Sequence, residues 1–151
     1  MEIRFENIPD ELKALNQWVI WRTVERGGKP TKVLYRTDNP QLEAKVNDSE
    51  TWSSFSSARV ASVYADGVGF VFADDEFFGI DLDGHVVDGE LSGYAQSLLE
   101  RFSTYAELSP SGAGLHIIGE GDKPGSRSKH VKKGVEIYDT GRYFTFSGAR
   151  S

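Results

Sequence analysis

Apolar and polar positions along this chain follow two different periods. In "FFGIDLD", residues 77–83, apolar and acidic side chains alternate, so a strand there sends Ile80 and Leu82 to one face and Asp81 and Asp83 to the other. "QWVIWRTV" and "TKVLYR" are also strand-like, and the "ERGGKP" between them supplies turn residues, which predicts a first hairpin. A second hairpin is expected from "GVGFVF" and "FFGIDLD" across "ADDE", and a last one from "GVEIYD" and "RYFTFSG" across "TG". "YAELSPSGAGLHIIGEG" reads as two short strands around a Ser/Pro/Gly turn.

Helical spacing takes over elsewhere. "NIPDELKAL" opens with a capping Asn7 and Pro9 in the first turn, which predicts a short helix. Phe55, Ala58, Ala61 and Tyr64 recur every three residues within "NDSETWSSFSSARVASVYADG", and Tyr94, Leu98, Leu99 and Phe102 mark an amphipathic helix over Leu91–Phe102. The order is helix, hairpin, helix, hairpin, helix and four strands. It predicts an α+β domain, a mostly antiparallel sheet packed with helices.

Composition narrows the setting. A chain of 151 residues is one domain's worth, able to bury roughly two-thirds of its unfolded surface. It has no cysteine, hence no disulfide framework and no thiolate zinc site, and no apolar run approaches the ~18 residues of a membrane span. With no signal-peptide pattern at its start, a cytoplasmic protein without membrane contact is expected. Because the sequence stops directly after a strand, a longer parent protein is also expected.

Charge is unevenly spread. Residues 74–90 hold seven acids (Asp74, Asp75, Glu76, Asp81, Asp83, Asp88 and Glu90) and no Lys or Arg, more than the whole net charge of −6. Between Glu120 and Lys133, Lys123, Arg127, Lys129, Lys132 and Lys133 face only two acids. An acidic patch beside a basic loop suits a metal ion plus phosphates, although the loop taken alone also reads as solvated surface.

Three stretches carry candidate chemistry. Asp81 and Asp83 on one strand face repel each other unless a hard divalent cation bridges them, so they read as half of a metal site; a solvated strand end is the other reading of the tetrapeptide alone. In "SPSGAGLHII", Gly112 and Gly114 let backbone N–H groups approach an anion, Ser111 adds a hydroxyl and His116 opens the next strand, a set suited to a triphosphate. It is neither a P-loop nor a dinucleotide fingerprint. In "VEIYDTGRYF", Val135 and Ile137 face a core, which turns Glu136 toward the other side as a third carboxylate. Asp139 competes for that role beside a turn, and Glu136 ranks first. Arg142 and Tyr143 follow as contacts for phosphate and sugar. Trp18, Trp21 and Trp52 read as core and are left out of the site.

In this order, "GIDLD", "SPSGAGLH" and "VEIYDTGRYFTFSG", with "LNQWVIW", "KPTKVLY", "TWSSF" and "GVGFVF" ahead of them, closely resemble the N-terminal primase-polymerase domain of phage and plasmid replication proteins. That domain belongs to the archaeo-eukaryotic primase superfamily. The resemblance runs from about Ile8 to Gly148 and implies one catalytic domain over 1–151 with an RNA-recognition-motif-like core. It implies that Asp81, Asp83 and Glu136 hold two Mg²⁺ or Mn²⁺ ions, and that Ser111, Gly112, Gly114 and His116 hold the phosphates of a nucleoside triphosphate. Asp139 does not match the third motif by position.

The activity so implied is template-directed nucleotidyl transfer, priming or extending DNA in the replication of a phage, plasmid or other mobile element. Its partners would be a DNA primer and template or a single-stranded template, together with a helicase domain or protein. Template phosphates are assigned to Lys29, Lys32, Arg127, Lys129, Lys132 and Lys133. Three rival functions remain: a replication-initiator nuclease, which usually needs a histidine pair that His85, His116 and His130 do not form; a non-catalytic nucleotide- or single-strand-binding module; and a degenerate regulatory domain.

Overall fold

The first hairpin forms because two glycines allow it. Gly27 and Gly28 take φ of 59° and 79°, a turn with both central residues left-handed, and join strands β1 (Trp18–Arg26) and β2 (Lys29–Tyr35). The structure is a computed structural model and describes residues 3–102, 105–121 and 134–148. Lys123, Arg127, Lys129, His130, Lys132 and Lys133 lie outside the described residues.

By internal contacts the chain divides into two units, one of Met1–Val71 with Tyr143–Gly148 and one centred on Phe72–Arg142. Each is built on a four-stranded sheet. The first sheet has the order β10–β3–β1–β2, with β3 at Gly67–Ala73 and β10 at Thr140–Phe146. Within the first unit Trp18 is fully buried and meets the rings of Phe55, Phe70 and Phe146 edge-on at 4.9–5.3 Å, so this tryptophan is core. Trp21 is also buried, in a cluster with Val19, Leu34, Ala44 and Val71.

Helices are shorter than the sequence predicts. α1 covers only Asp10–Lys13, and the long helix expected around Phe55 breaks into a 3-10 turn at Ser49–Thr51, α2 at Phe55–Ala61 and another 3-10 turn at Ser62–Tyr64. Two caps start two separate turns: Asp48 accepts from the Glu50 N–H and Ser54 from the Ser57 N–H. Between them Ser53 exchanges backbone hydrogen bonds with Trp18 at 2.9 and 3.0 Å, which no helical residue could do.

The second sheet has the order β7–β8–β4–β9, with β4 at Phe77–Asp83, β7 at Tyr105–Leu108, β8 at Gly114–Glu120 and β9 at Val135–Tyr138. A two-stranded ribbon of β5 (Val86–Val87) and β6 (Glu90–Leu91) precedes α3 (Gly93–Phe102). Ser92 caps α3 by accepting from the Ala95 N–H at 3.0 Å. The β7–β8, β8–β4 and β4–β9 pairs are all antiparallel. The architecture is α+β and mostly antiparallel, and no helix among the described residues is long and apolar enough to cross a membrane.

Two expected hairpins do not form. β3 pairs in the first sheet while β4 lies between β8 and β9 in the second; β9 pairs with β4 while β10 lies beside β3. The chain changes sheet after Ala73 and again after Tyr138, and the Asp74 N–H donates to the Asp139 carbonyl at 2.6 Å. Asp74 sits at φ 54°, so "ADDE" turns the chain without registering its flanking strands.

The second sheet separates its faces by the two-residue period. Phe78, Ile80, Leu82, Ala106, Leu115, Ile117, Val135 and Ile137 share a core face, covered by Ala95 and Leu98 of α3. Ile80, Leu82, Leu115 and Ile117 are all 0% exposed, and burying each stabilises the fold by roughly 1.5–3 kcal/mol. Gly119 stands opposite Phe78, and any Cβ there would fall inside the Phe78 ring.

Candidate functional site

The candidate residues lie on the opposite face of this sheet. In the β4–β8 register Asp81 faces His116, and in the β4–β9 register it faces Glu136. Directly opposed side chains have Cβ atoms about 4.5–5.5 Å apart, so the three form a row across adjacent strands. His116 Nε2 lies 3.5 Å from Asp81 Oδ1, and the two side chains are 13% and 31% exposed. Asp83, two residues on, shares the face and is exposed.

Three carboxylates on one face are costly. Burial first, then the charges of Asp83 and Glu136, push the Asp81 carboxyl from its ordinary 3.8 up to about 6. The backbone holds the arrangement in place despite that repulsion. The Asp83 N–H donates to the Gly134 carbonyl at 2.7 Å, and Gly134, at φ 77°, has no room for a Cβ against the Asp83 carbonyl. Only glycine satisfies both demands.

The donor chemistry fits Mg²⁺ or Mn²⁺, which favour oxygen ligands. Among the described residues, however, no three His, Asp or Glu side chains converge on a ready-made metal cage. A partial set is what Mg²⁺ uses when substrate phosphates and waters complete its shell.

The Ser/Gly turn between β7 and β8 lies against the end of β4. A Cβ on Gly114 would come within 3.0 Å of the Leu82 carbonyl oxygen and 3.5 Å of Asp83 Cα. The sequence expectation of open backbone N–H groups is modified here. Gly112 N–H donates to the Ser109 carbonyl, Ala113 N–H to Ser111 Oγ and Gly114 N–H to Ser109 Oγ, at 2.8, 3.2 and 3.1 Å. The two hydroxyls lie 3.1 Å apart, and Ser111 is exposed. The glycines shape the turn, Gly112 at φ 77°, and because one serine hydroxyl donates to the other, one hydroxyl hydrogen of the pair is left to offer outward.

Of the two candidate third acids, Glu136 is the one opposite Asp81; Asp139 lies between β9 and β10 and uses its carbonyl to hold Asp74. Arg142 is brought near Glu136 through Tyr138. Its guanidinium lies 5.0 Å from the Tyr138 ring centre, while burial and then a hydrogen bond to Glu136 raise the Tyr138 hydroxyl above its ordinary range. Tyr143 belongs to the first unit, where it packs with Val19, Trp21, Leu34 and Val71 and touches Gly69. Lys29 and Lys32 also lie in the first unit, both exposed, with the Lys32 ammonium 5.4 Å from the Trp21 ring. His85 serves α3, its Nδ1 lying 2.7 Å from the Ser92 hydroxyl.

Sequence reasoning passed over one further residue. Glu107 of β7 stands opposite His116, which extends the row to Glu107, His116, Asp81 and Glu136 across all four strands. The period of two in "YAEL" already puts Tyr105 and Glu107 on one face and Ala106 and Leu108 on the other.

The resemblance to primase-polymerases is matched by a known protein: the chain is similar to a phage primase-polymerase. The relative is named DNA Primase-polymerase, from Nitratiruptor phage NrS-1, and is 36% identical over 91% of this chain. The chain spans 20% of that relative's length. No family model matches it.

Proposed function

We propose that this chain is the nucleotidyl-transfer domain of a DNA primase-polymerase, acting in the replication of a phage or a related mobile element. One observation carries the reading: Asp81, on a strand with neighbours on both sides, has a histidine opposite it on one neighbour and a glutamate on the other. On this reading the β7–β8–β4–β9 sheet backed by α3 is the RNA-recognition-motif-like core of the family.

Asp81, Asp83 and Glu136 would hold Mg²⁺ or Mn²⁺, two ions in the fully loaded site. When bound there, such cations would supply Lewis-acid activation of a primer 3′-hydroxyl and would neutralise charge on the phosphates. His116 and the Ser111 hydroxyl bind the triphosphate tail of the incoming nucleotide and orient it along the Ser/Gly turn. Arg142, held over Tyr138, offers a second cationic contact to phosphate. Lys29 and Lys32, with Arg127, Lys129, Lys132 and Lys133, contact template phosphates without reading sequence.

The test is extension of a labelled primer annealed to a longer template, with four deoxynucleotides and Mg²⁺ or Mn²⁺, beside an Asp81→Ala, Asp83→Ala double variant. Extension by the wild type alone supports the reading. A folded wild type that binds nucleotide and extends nothing would make the domain a regulatory nucleotide binder instead.

A further inference from the structure

Glu107 is 4% exposed, and a carboxylate removed from water to that degree destabilises the fold unless it is hydrogen-bonded or paired. The Tyr105 hydroxyl donates to its Oε2 at 2.7 Å, and Tyr105 is itself only 1% exposed. The two residues are i and i+2 on β7, so both face the acid row, and Glu107 stands in register with His116. His116 in turn stands opposite Asp81, with Nε2 3.5 Å from Oδ1. The imidazole therefore lies between two carboxylates on the strands flanking its own. One is exposed enough to meet a ligand, and the other is buried and braced by a tyrosine.

The two carboxylates are suited to different tasks. Asp81 is 31% exposed and flanked by Asp83 and Glu136, which gives it access to a cation. Glu107 has no such access. What a buried, braced acceptor supplies to a neighbouring histidine is a set ring orientation and tautomer. An imidazole held in one rotamer before the nucleotide arrives loses less entropy on binding than one that must be ordered then.

We propose that Glu107 is a positioning residue for nucleotide binding: its buried carboxylate, braced by the Tyr105 hydroxyl, orients the His116 imidazole toward the triphosphate. This rests on the nucleotide-binding role proposed for His116.

The test is a double-mutant cycle in the full chain, using binding of dATP and ATP with Mg²⁺ and the KM and kcat for dATP in primer extension. Glu107→Ala is expected to weaken nucleotide binding and raise KM by about tenfold while kcat stays within about threefold. Glu107→Gln, which keeps an acceptor oxygen, should restore most of that loss, and Tyr105→Phe should cost about two- to threefold. In a His116→Ala background Glu107→Ala should cost nothing further, because its effect passes through the ring.

An equal loss in that background would overturn the proposal, as would unchanged affinity in folded Glu107→Ala. If Glu107→Ala fails to fold, the Gln and Tyr105→Phe variants decide, and unchanged affinity in Tyr105→Phe counts against the proposal. Wild-type binding that His116→Ala weakens and Glu107 variants do not would remove this inference alone. A wild type that binds neither nucleotide would overturn the functional reading with it.

Discussion

The two faces of the β7–β8–β4–β9 sheet share their strands and their register and differ in everything else. On one, Ala106, Ile117, Ile80 and Ile137 form a row across four strands, all nearly or fully buried against α3 or its cluster. On the other, one residue along each strand, stand Glu107, His116, Asp81 and Glu136. The first row gains free energy from apolar burial, and the second loses it to like-charge repulsion and desolvation. One sheet thus carries a stabilising face that holds a destabilising one in place, and stability and the proposed chemistry become separable by which face is altered.

The largest break in that comparison should come from the acid face. Asp81→Ala with Asp83→Ala is expected to lower primer extension by about a thousandfold or more with no loss of melting temperature. A variant that extends primers normally would show that these carboxylates do no chemistry.

The core face should respond in the opposite sense. Ile117→Ala leaves a cavity and is expected to cost about 2–5 kcal/mol in urea unfolding, with nucleotide affinity unchanged in the folded fraction. A cost below about 1 kcal/mol would mean that this face is not where the sheet draws its stability.

A smaller effect sharpens the contrast. Because the folded Asp81 carboxyl titrates near 6 rather than 3.8, its penalty is absent below about pH 4, grows as the pH rises through 6 and is complete above it. Asp81→Asn removes that penalty. Without metal it should stabilise the protein by about 1–2 kcal/mol at pH 8, after allowance for partial exposure, and by nothing at pH 3.5. Equal melting temperatures for the two proteins across that range would show that the acid row stores no strain.

The smallest effect is expected at the turn that joins β7 to β8. Ser109→Ala deletes the hydroxyl that accepts from the Gly114 N–H and should cost about 0.5–1.5 kcal/mol. A neutral result would leave the glycines alone as the source of the turn's shape.

Much of this was legible in the chain itself, because face assignment is a local property. The period of two in "GIDLD" and "VEIYD" is enough to put Asp81, Asp83 and Glu136 opposite Ile80, Leu82 and Ile137, and two glycines in "ERGGKP" are enough to make the first hairpin. The amphipathic spacing of Tyr94, Leu98 and Phe102 likewise marks the helix that covers the core face.

Partner choice was not legible. "GVGFVF" and "FFGIDLD" carry every sign of a hairpin and go to different sheets, as do β9 and β10, because an apolar strand specifies a buried face and not which edge it will pair with. That choice is made by hydrogen bonds between residues far apart in sequence. It decides that Asp81 lies between His116 and Glu136, that Tyr143 packs in the first unit, and that Glu107, unremarkable in "YAEL", comes to lie beside the histidine. The sequence alone determined which side chains share a face; the tertiary structure decided which of them meet, since register across strands is set only when the whole sheet assembles.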